Sequence, residues 1–464
     1  MSLKKQIVKD GVMHSVNRRS NSRQELRAEL VADLKAVAEE TAFTAANLSK
    51  TRTSVATLLR SFNLAVSYRE DQHHIKKLNS TFFIHRAYVE KSDGYTTIRV
   101  LSINQCLDAN AIIEGTIDGH EIVLKPQFIG ESCPRYFAPG CIYNSHIFVG
   151  FSSAAAYSSH YIQLRRGKGN VSLPLQGISS KVKGKLTFCV PPLYWYSNWP
   201  KIIFALEFWK AQGVAHVFVY HHSSTKNVYQ VLDHYEAEGY ITIVSWPSLP
   251  RNAFEDPNQS VYRVAHSLAH NDCLMRLTTE FGAVIDVDEV IIPRKGTLMS
   301  FIIDSFASNA SAGALLFQHR TLSMHPSHAG QNFTFEALDF SGIWNATEHE
   351  YRGPPKIAVK DAALLHHRYN VGIERIGNNS QGIDLLPDKA DLIALQNILN
   401  YRKRTIFPNG ADFHFSTQME LATCLEQWRI TQHECKTPIS SCASVMLPLE
   451  DWQFTKLNEQ FHTL

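Results

Sequence analysis

The sequence predicts an α/β protein: a mixed, doubly wound sheet preceded by a strand-rich lobe and an N-terminal helical stalk. Three observations carry this. Between residues 183 and 293, apolar strand runs alternate with helical periodicity, and such a β-α-β-α-β-α-β succession builds a parallel sheet. Between 79 and 182, short β-rich runs recur between turn signals, as in antiparallel lobes. Before residue 78 the clear apolar periodicity is helical. The expected divisions are a disordered or helical stalk or stem over 1–78, the strand-rich lobe over 79–182, the α/β domain over 183–390 and a helical or irregular extension over 391–464.

Residues 1–23 are polar and basic without apolar periodicity, which predicts disorder. Leu26, Leu30, Leu34 and Val37 then recur at helical spacing among Glu25, Arg27, Glu29, Asp33 and Lys35, an amphipathic helix over 22–40 able to pair two copies of the chain. In the lobe, runs at 81–90 and 96–103 flank a Lys91-Ser92-Asp93-Gly94 turn, and runs at 111–116 and 120–124 flank Ile117-Asp118-Gly119, a hairpin signal. Further strands are predicted at 144–150 and 159–165.

From 185 to 190 a strand ends at Pro191-Pro192. Residues 200–212 form a helix with Pro200 in its first turn, Ile203, Leu206 and Trp209 on one face, and Gly213 as its stop. A strand at 214–220, a helix at 227–238 closed by Gly239, a strand at 240–246 and a long helix over 260–281 follow. Residues 283–285 then lead into Asp286, and a last clear helix is predicted at 390–401.

Composition narrows the function classes. The 464 residues are 44% hydrophobic and 19% charged, with a net charge of +3, so the chain buries a large core and carries no basic stripe for general nucleic-acid binding. Eight cysteines form no metal-finger spacing; Cys133/Cys141 and Cys435/Cys442 lie close enough for local disulfides. Asn47, Asn79, Asn170, Asn258, Asn309, Asn332, Asn345 and Asn378 each open an Asn-x-Ser/Thr sequon, where chance gives about three. The excess predicts a glycosylated protein of the secretory pathway, against a bland reading of reduced thiols and accidental sequons. No signal peptide and no apolar run of about 20 residues is visible. Either the chain is soluble in the cytosol or its membrane anchor lies outside this stretch; the sequons favour the second.

The chemistry concentrates in residues 283–293, AVIDVDEVIIP, which place Asp286, Asp288 and Glu289 inside an apolar run. Buried carboxylates repel one another and lose hydration, so they call for a cation or hydrogen-bond donors. Asp-x-Asp at the carboxyl end of a parallel strand suits a divalent ion held against a phosphate. The bland alternative is a pair of turn-capping carboxylates.

Asp272 and Arg276 are four apart on a helix, either a surface ion pair or a phosphate-facing arginine. His221, in the His221-His222-Ser223-Ser224 loop after the second strand, is either a polar turn residue or a neighbour of a nucleoside. His366 and His367 end an apolar segment, as satisfied polar groups or as a nitrogen ligand. Glu336, Asp339, Glu348 and Glu350 are equivalent candidates for a general base.

Residues 199–213 (WPKIIFALEFWKAQG), then HVFVYHHSS, NDCLMR and AVIDVDEVIIP, in this order, resemble the family 92 glycosyltransferases, a group abundant in nematodes. The resemblance covers about 183–370 and extends to the lobe from about 82. It implies a GT-A-like, Rossmann-like fold and Mn2+ held by Asp286 and Asp288 against the diphosphate of a UDP-sugar. It implies His366 as a further ligand, although His367 stands where relatives have Tyr and leaves that choice open. Arg276 is expected to face the diphosphate. His221 stands where relatives tend to carry an Asp near the nucleoside.

The resemblance further implies transfer of galactose to a glycan or glycoprotein acceptor with inversion, in the Golgi lumen, from a short membrane anchor and stem. Two other classes remain beside it. One is a glycan-binding or scaffolding protein that keeps the fold without turnover. The other is an aspartyl phosphatase, which IDVDEV fits superficially but whose nucleophile belongs on the first strand of its domain.

Overall fold

Hydrophobic alternation closes the lobe into a barrel. In the computed structural model the described residues are 6–9, 82–92, 95–105, 111–128, 140–152, 160–251, 256–308, 314–323, 347–350, 362–368, 389–430, 435, 437–456 and 461–464. All of them fall in one compact unit, Thr81–Leu464 with Met1–Val12. Strand β1 (Gln6–Lys9) precedes the lobe strands β2 (Phe83–Ser92), β3 (Tyr95–Gln105), β4 (Ile113–Ile117), β5 (His120–Phe128), β6 (Tyr143–Ser152), β7 (Tyr161–Arg166) and β8 (Gly169–Gly177).

The lobe order β2-β3-β6-β5-β4-β7-β8 returns to β2 through a parallel pairing of Ala87 with Leu175, a seven-stranded closed barrel. Closure removes the open edges that an antiparallel sheet exposes. Its interior is filled by Ile98, Val100, Ile113, Leu124, Phe148, Ile162, Leu164 and Leu173. The β4–β5 turn places Asp118 (φ 51°) and Gly119 (φ 78°) both in the left-handed region, which the tightest hairpin connection requires.

The second layer is a parallel sheet with helices. Strand β9 (Val182–Leu193) leads through α1 (Trp199–Ala211) to β10 (Val214–His221), then β11 (Ser223–Thr225), α2 (Lys226–Ala237), β12 (Ile241–Ser245), α3 (His266–Arg276) and β13 (Thr279–Val284). The order β12-β10-β9-β13, all parallel, reverses direction between β9 and β13. A crevice for ligands opens at the carboxyl ends of strands where such a reversal occurs.

Helix α1 starts where the Asn198 side chain accepts from the Lys201 amide at 2.9 Å, with Pro200 in the first turn. It ends at Gly213 (φ 86°), whose missing Cβ also leaves room for Met299: a Cβ there would lie 2.8 Å from the Met299 Cβ. Buried on nearly every side, α1 packs Trp209 edge-on against Phe188 of β9.

Beyond β13 come β14 (Glu289–Pro293), α4 (Leu298–Ser308), β15 (Ala314–Leu316), β16 (Gln318–Ser323), β17 (Thr347–Glu350), β18 (Ala362–Arg368), α5 (Lys389–Ile406), α6 (Phe415–Ile430), α7 (Pro438–Ser441), α8 (Ala443–Met446), β19 (Trp452–Phe454) and β20 (His462–Thr463). A second sheet has the order β14-β18-β16-β17, while β1 pairs antiparallel with β13 and β15 at the edge of the first. The C-terminal stretch ties the molecule together: β19 pairs with β11, and β20 pairs with β2 of the barrel.

Several expectations change. The long helix over 260–281 is instead a 3-10 turn, the shorter α3 and the start of β13, because three consecutive left-handed residues break it. The local disulfide spacings do not pair. Cys141 joins Cys435, Cys424 joins Cys442 and Cys189 joins Cys273, partners that only the fold brings together. Cys106 and Cys133 lie outside the described residues, as do the helix over 22–40 and its proposed pairing of two copies. No helix among the described residues is long and apolar enough to cross a membrane.

Two described sequons differ in chemistry. Asn170 is exposed beside the β7–β8 turn. The Asn258 amide donates to the Leu249 carbonyl (2.9 Å) and Asp256 Oδ1 (2.8 Å), and its oxygen accepts from the Leu249 amide (2.7 Å). Its side-chain nitrogen is therefore committed to the fold. Secreted from a glycosylating host, the protein is expected to carry a glycan at Asn170 and none at Asn258. Glycopeptide mass spectrometry reads this directly, and occupancy at Asn258 would contradict the structure.

Candidate functional site

The site begins with alternation at the end of β13. Ile285 and Val287 point into the main core and are buried, which leaves Asp286 and Asp288 half-buried on the other side. The Ile285 amide still bonds the Cys189 carbonyl of β9, so the acidic turn sits against the β9–β13 junction. Glu289 closes the turn from both ends. Its amide donates to the Asp286 carbonyl at 3.0 Å, and its buried Oε2 accepts from the Asp286 amide at 3.0 Å. The Trp209 indole of α1 donates to the Glu289 carbonyl at 3.2 Å. Glu289 therefore shapes the loop that carries the two aspartates.

Two residues that the sequence did not single out share this corner. Tyr194 follows β9, and Arg263 lies in the turn before α3; both are within electrostatic reach of Asp286 and Asp288. Burial raises the Tyr194 pKa and keeps the phenol neutral; Arg263 opposes that rise, while Tyr262 and the two aspartates add to it. Burial would lower the Arg263 pKa, but Tyr194, Tyr262, Asp286 and Asp288 together raise it above its usual value. Arg263, Val264 and Ala265 have φ of 42°, 57° and 58°, a conformation that costs non-glycine residues about 1–2 kcal/mol each. The Trp246 indole holds this turn through the Val264 carbonyl at 2.6 Å, and Val261 bridges to Tyr143 of the barrel. A tyrosine and an arginine in an irregular turn have no periodic signature, so no sequence signal marked them.

Asp272 is 0% exposed and gathers donors from three segments. Tyr88 of β2 donates at 2.7 Å, Tyr220 of β10 at 2.5 Å and Arg276 at 2.7 Å; Arg86 and His85 nitrogens lie at 3.4 and 3.6 Å. Burial pushes its pKa up, but Arg276 first, then His85 and Arg86, hold it well below the carboxylate range. Cys273, its neighbour, is bonded to Cys189 of β9. Asp272 and Arg276 thus form a buried pair, with Arg276 committed to Asp272 on one side.

His221 is 0% exposed. Its Nε2 pairs with Ser224 Oγ at 2.9 Å and its ring stands edge-on to Tyr229, beside the β11–β19 pairing. His366 is in backbone register with Glu289, one residue beyond Asp288. Glu348 and Glu350 lie on β17, separated from β18 by β16, while Glu336 and Asp339 lie outside the described residues.

Among the described residues no three His, Cys, Asp or Glu side chains gather as a complete metal cage. Two half-buried carboxylates two residues apart are hard oxygen donors, and that set suits a divalent ion that completes its shell with phosphate oxygens.

Two measurements test this electrostatic frame. Asp272→Asn strips the counter-charge from Arg276 and Arg86, and is expected to destabilise the fold by about 3–5 kcal/mol. Tyr220→Phe, which removes one donor to the same carboxylate, should cost about 1.5–3 kcal/mol. Urea midpoints compare the two, and an unshifted Asp272→Asn midpoint would remove Asp272 from this role.

The second concerns pH. Burial lowers His221 to about 4 and His146 to about 4, and burial followed by the neighbouring His221 lowers His222 to about 3. Between an unfolded value of about 6.5 and these folded values, only the unfolded chain takes up the protons. Stability is therefore full above pH ~6.5 and falls as the pH drops toward 4, by about 1.4 kcal/mol per unit for each histidine. The Asp272 contribution persists until about pH 4 and is lost below it, as the pH falls through its depressed folded value. Replacing His222 with Gln should flatten the slope between pH 6.5 and 4 in urea titrations.

Comparison with known proteins bears on the same residues. Residues 184–422, just over half of the chain, match the model of Glycosyltransferase family 92. A glycosyltransferase family 92 protein of Caenorhabditis elegans is 32% identical over 192 residues, 40% of this chain and 36% of that relative. A second from the same organism is 27% identical over 140 residues, 29% of this chain and 27% of that relative. In both, the match spans well under half of the relative's own length. The matched stretch contains nearly all of the parallel sheet, the acidic turn and Asp272 with Tyr220 and Arg276, and on it this chain belongs to glycosyltransferase family 92.

Proposed function

We propose that the chain is a metal-dependent glycosyltransferase of GT-A type. It transfers a hexose, galactose on the family resemblance, from a UDP-sugar to a glycan or glycoprotein acceptor with inversion. The observation that carries this is the placement of Asp286 and Asp288 at the carboxyl end of β13, beside the end of β9, where the strand order reverses. Family membership supports the same reading.

Asp286 and Asp288 would hold Mn2+, with His366 as the candidate further ligand beside Glu289. Bound there, the ion would offset the negative charge that builds on the departing UDP. Glu289 keeps the Asp286 backbone in place, so the two carboxylates meet the donor without rearranging. Tyr194 stays neutral and adds no competing negative charge. On the acceptor side a carboxylate takes the proton of the attacking hydroxyl, whose oxygen bonds to the anomeric carbon opposite the leaving UDP. Glu336, Asp339, Glu348 and Glu350 are the candidates for that carboxylate.

The disulfides among the described residues accord with folding in the secretory pathway and with work in the Golgi lumen. The test is a panel of UDP-sugars with Mn2+ against arrayed glycans. Transfer should require the metal, and Asp286→Asn should lower it by about a hundredfold or more. An Asp286→Asn protein with full transfer and intact Mn2+ dependence would overturn the proposal.

A further inference from the structure

Residues 266–270 read HSLAH, two imidazoles four residues apart. That spacing matters only on a helix, where positions four apart are neighbours on one face. The structure supplies the helix. Residues 263–265 are left-handed, so α3 starts at His266 and the pair occupies its first turns. The two rings lie with centroids 4.2 Å apart and planes inclined by 58°. Both histidines are half-buried, on the rim of a helix whose Leu268, Ala269, Asp272 and Cys273 are buried.

The backbone under the pair is fixed on every side. Before it, Val264 and Ala265 are buried and the Trp246 indole donates to the Val264 carbonyl at 2.6 Å. Within it, Ser267 reaches Ser145 of the barrel at 3.0 Å, and the Asn271 amide returns to the Ser267 carbonyl at 2.8 Å. After it comes the Asp272 hub. Two side chains on so rigid a turn lose little freedom when one ion takes both, and such preorganisation favours binding.

We infer that His266 and His270 form a second metal site, a two-nitrogen site for a borderline divalent ion of the Zn2+ class. A zinc ion holds each ring nitrogen about 2.0–2.1 Å away. Rings already in contact on adjacent helical turns can meet one ion by side-chain rotation alone. Imidazole nitrogen suits Zn2+ and Cu2+, whereas Mn2+ prefers carboxylate oxygen, so ligand chemistry sorts this pair from Asp286 and Asp288. Two protein ligands leave the rest of a four-coordinate shell to water. The dipole at the amino end of α3 also opposes a bound cation. Both features describe an exchangeable site rather than a structural cage. Because the two nitrogens are neighbours only while α3 is formed, the ion binds the folded chain and stabilises it. The inference stands apart from the donor reading.

The experiment is titration calorimetry of the full chain with ZnCl2 and with MnCl2, for wild type, His266→Gln, His270→Gln and Asp286→Asn. Circular dichroism establishes folding, and the Asn variants replace any Gln variant that does not fold. Each histidine variant should weaken Zn2+ by about tenfold or more and leave Mn2+ unchanged. Asp286→Asn should retain the Zn2+ site. Saturating Zn2+ should raise the urea midpoint of wild type and not that of either histidine variant. With one equivalent of Cu2+ as a probe, electron paramagnetic resonance should show nitrogen couplings in wild type that diminish in both; every other histidine is common to these proteins, so the difference reads this pair alone. Zn2+ affinity unchanged in both histidine variants overturns the inference and leaves a stacked pair of rings. So does Zn2+ binding abolished by Asp286→Asn and kept by the histidine variants, which assigns the ion to the acidic pair. Neither result bears on the donor reading, which turns on Mn2+ and UDP.

Discussion

A carboxylate with no access to water is the constraint on which this structure depends. Asp272 is completely buried, and burial alone would drive it to the neutral acid. It stays charged because the barrel, the parallel sheet and its own helix each send it donors: Arg86 and Tyr88, Tyr220, and Arg276. Each donor is meaningful only if the others arrive, since any one element displaced leaves a buried charge poorly compensated. The aromatic packing around it follows from the same demand. Trp246 lies edge-on to both His85 and Tyr220 and excludes water from the cluster.

From that anchor the geometry passes to the acidic turn along covalent and hydrogen-bonded links. Cys273, next to Asp272, is bonded to Cys189, and the Cys189 carbonyl receives the Ile285 amide immediately before Asp286. Glu289 then closes the turn. The acidic pair that results lies within electrostatic reach of the Arg263 guanidinium and of Tyr194, which burial keeps neutral.

Much of this was legible in the chain. The α1 helix with its Pro200 start and Gly213 stop, the strand runs of the parallel sheet and the Asp118-Gly119 hairpin are local patterns, decided within a few residues. The break before α3 was not. Residues 260–281 read as one long helix, yet the Trp246 bond to Val264 and the bridge from Val261 to Tyr143 hold the chain in a left-handed turn. The disulfides were illegible for the same reason: Cys141 and Cys435 are 294 residues apart, and spacing favoured nearer partners.

What the sequence by itself determined is therefore the barrel hairpins, most elements of the parallel sheet and the acidic pair. Hydrophobic periodicity and turn residues act over short range, and carboxylates in an apolar run announce themselves wherever they fall. The tertiary structure alone decided which charges face one another. It turned Asp272 from a helix-surface candidate into a buried hub, bonded Arg276 to it and put Arg263 within electrostatic reach of the aspartates. The physical reason is that a charge is compensated by whatever the fold brings near it, and nearness across a sheet leaves no trace in spacing along the chain.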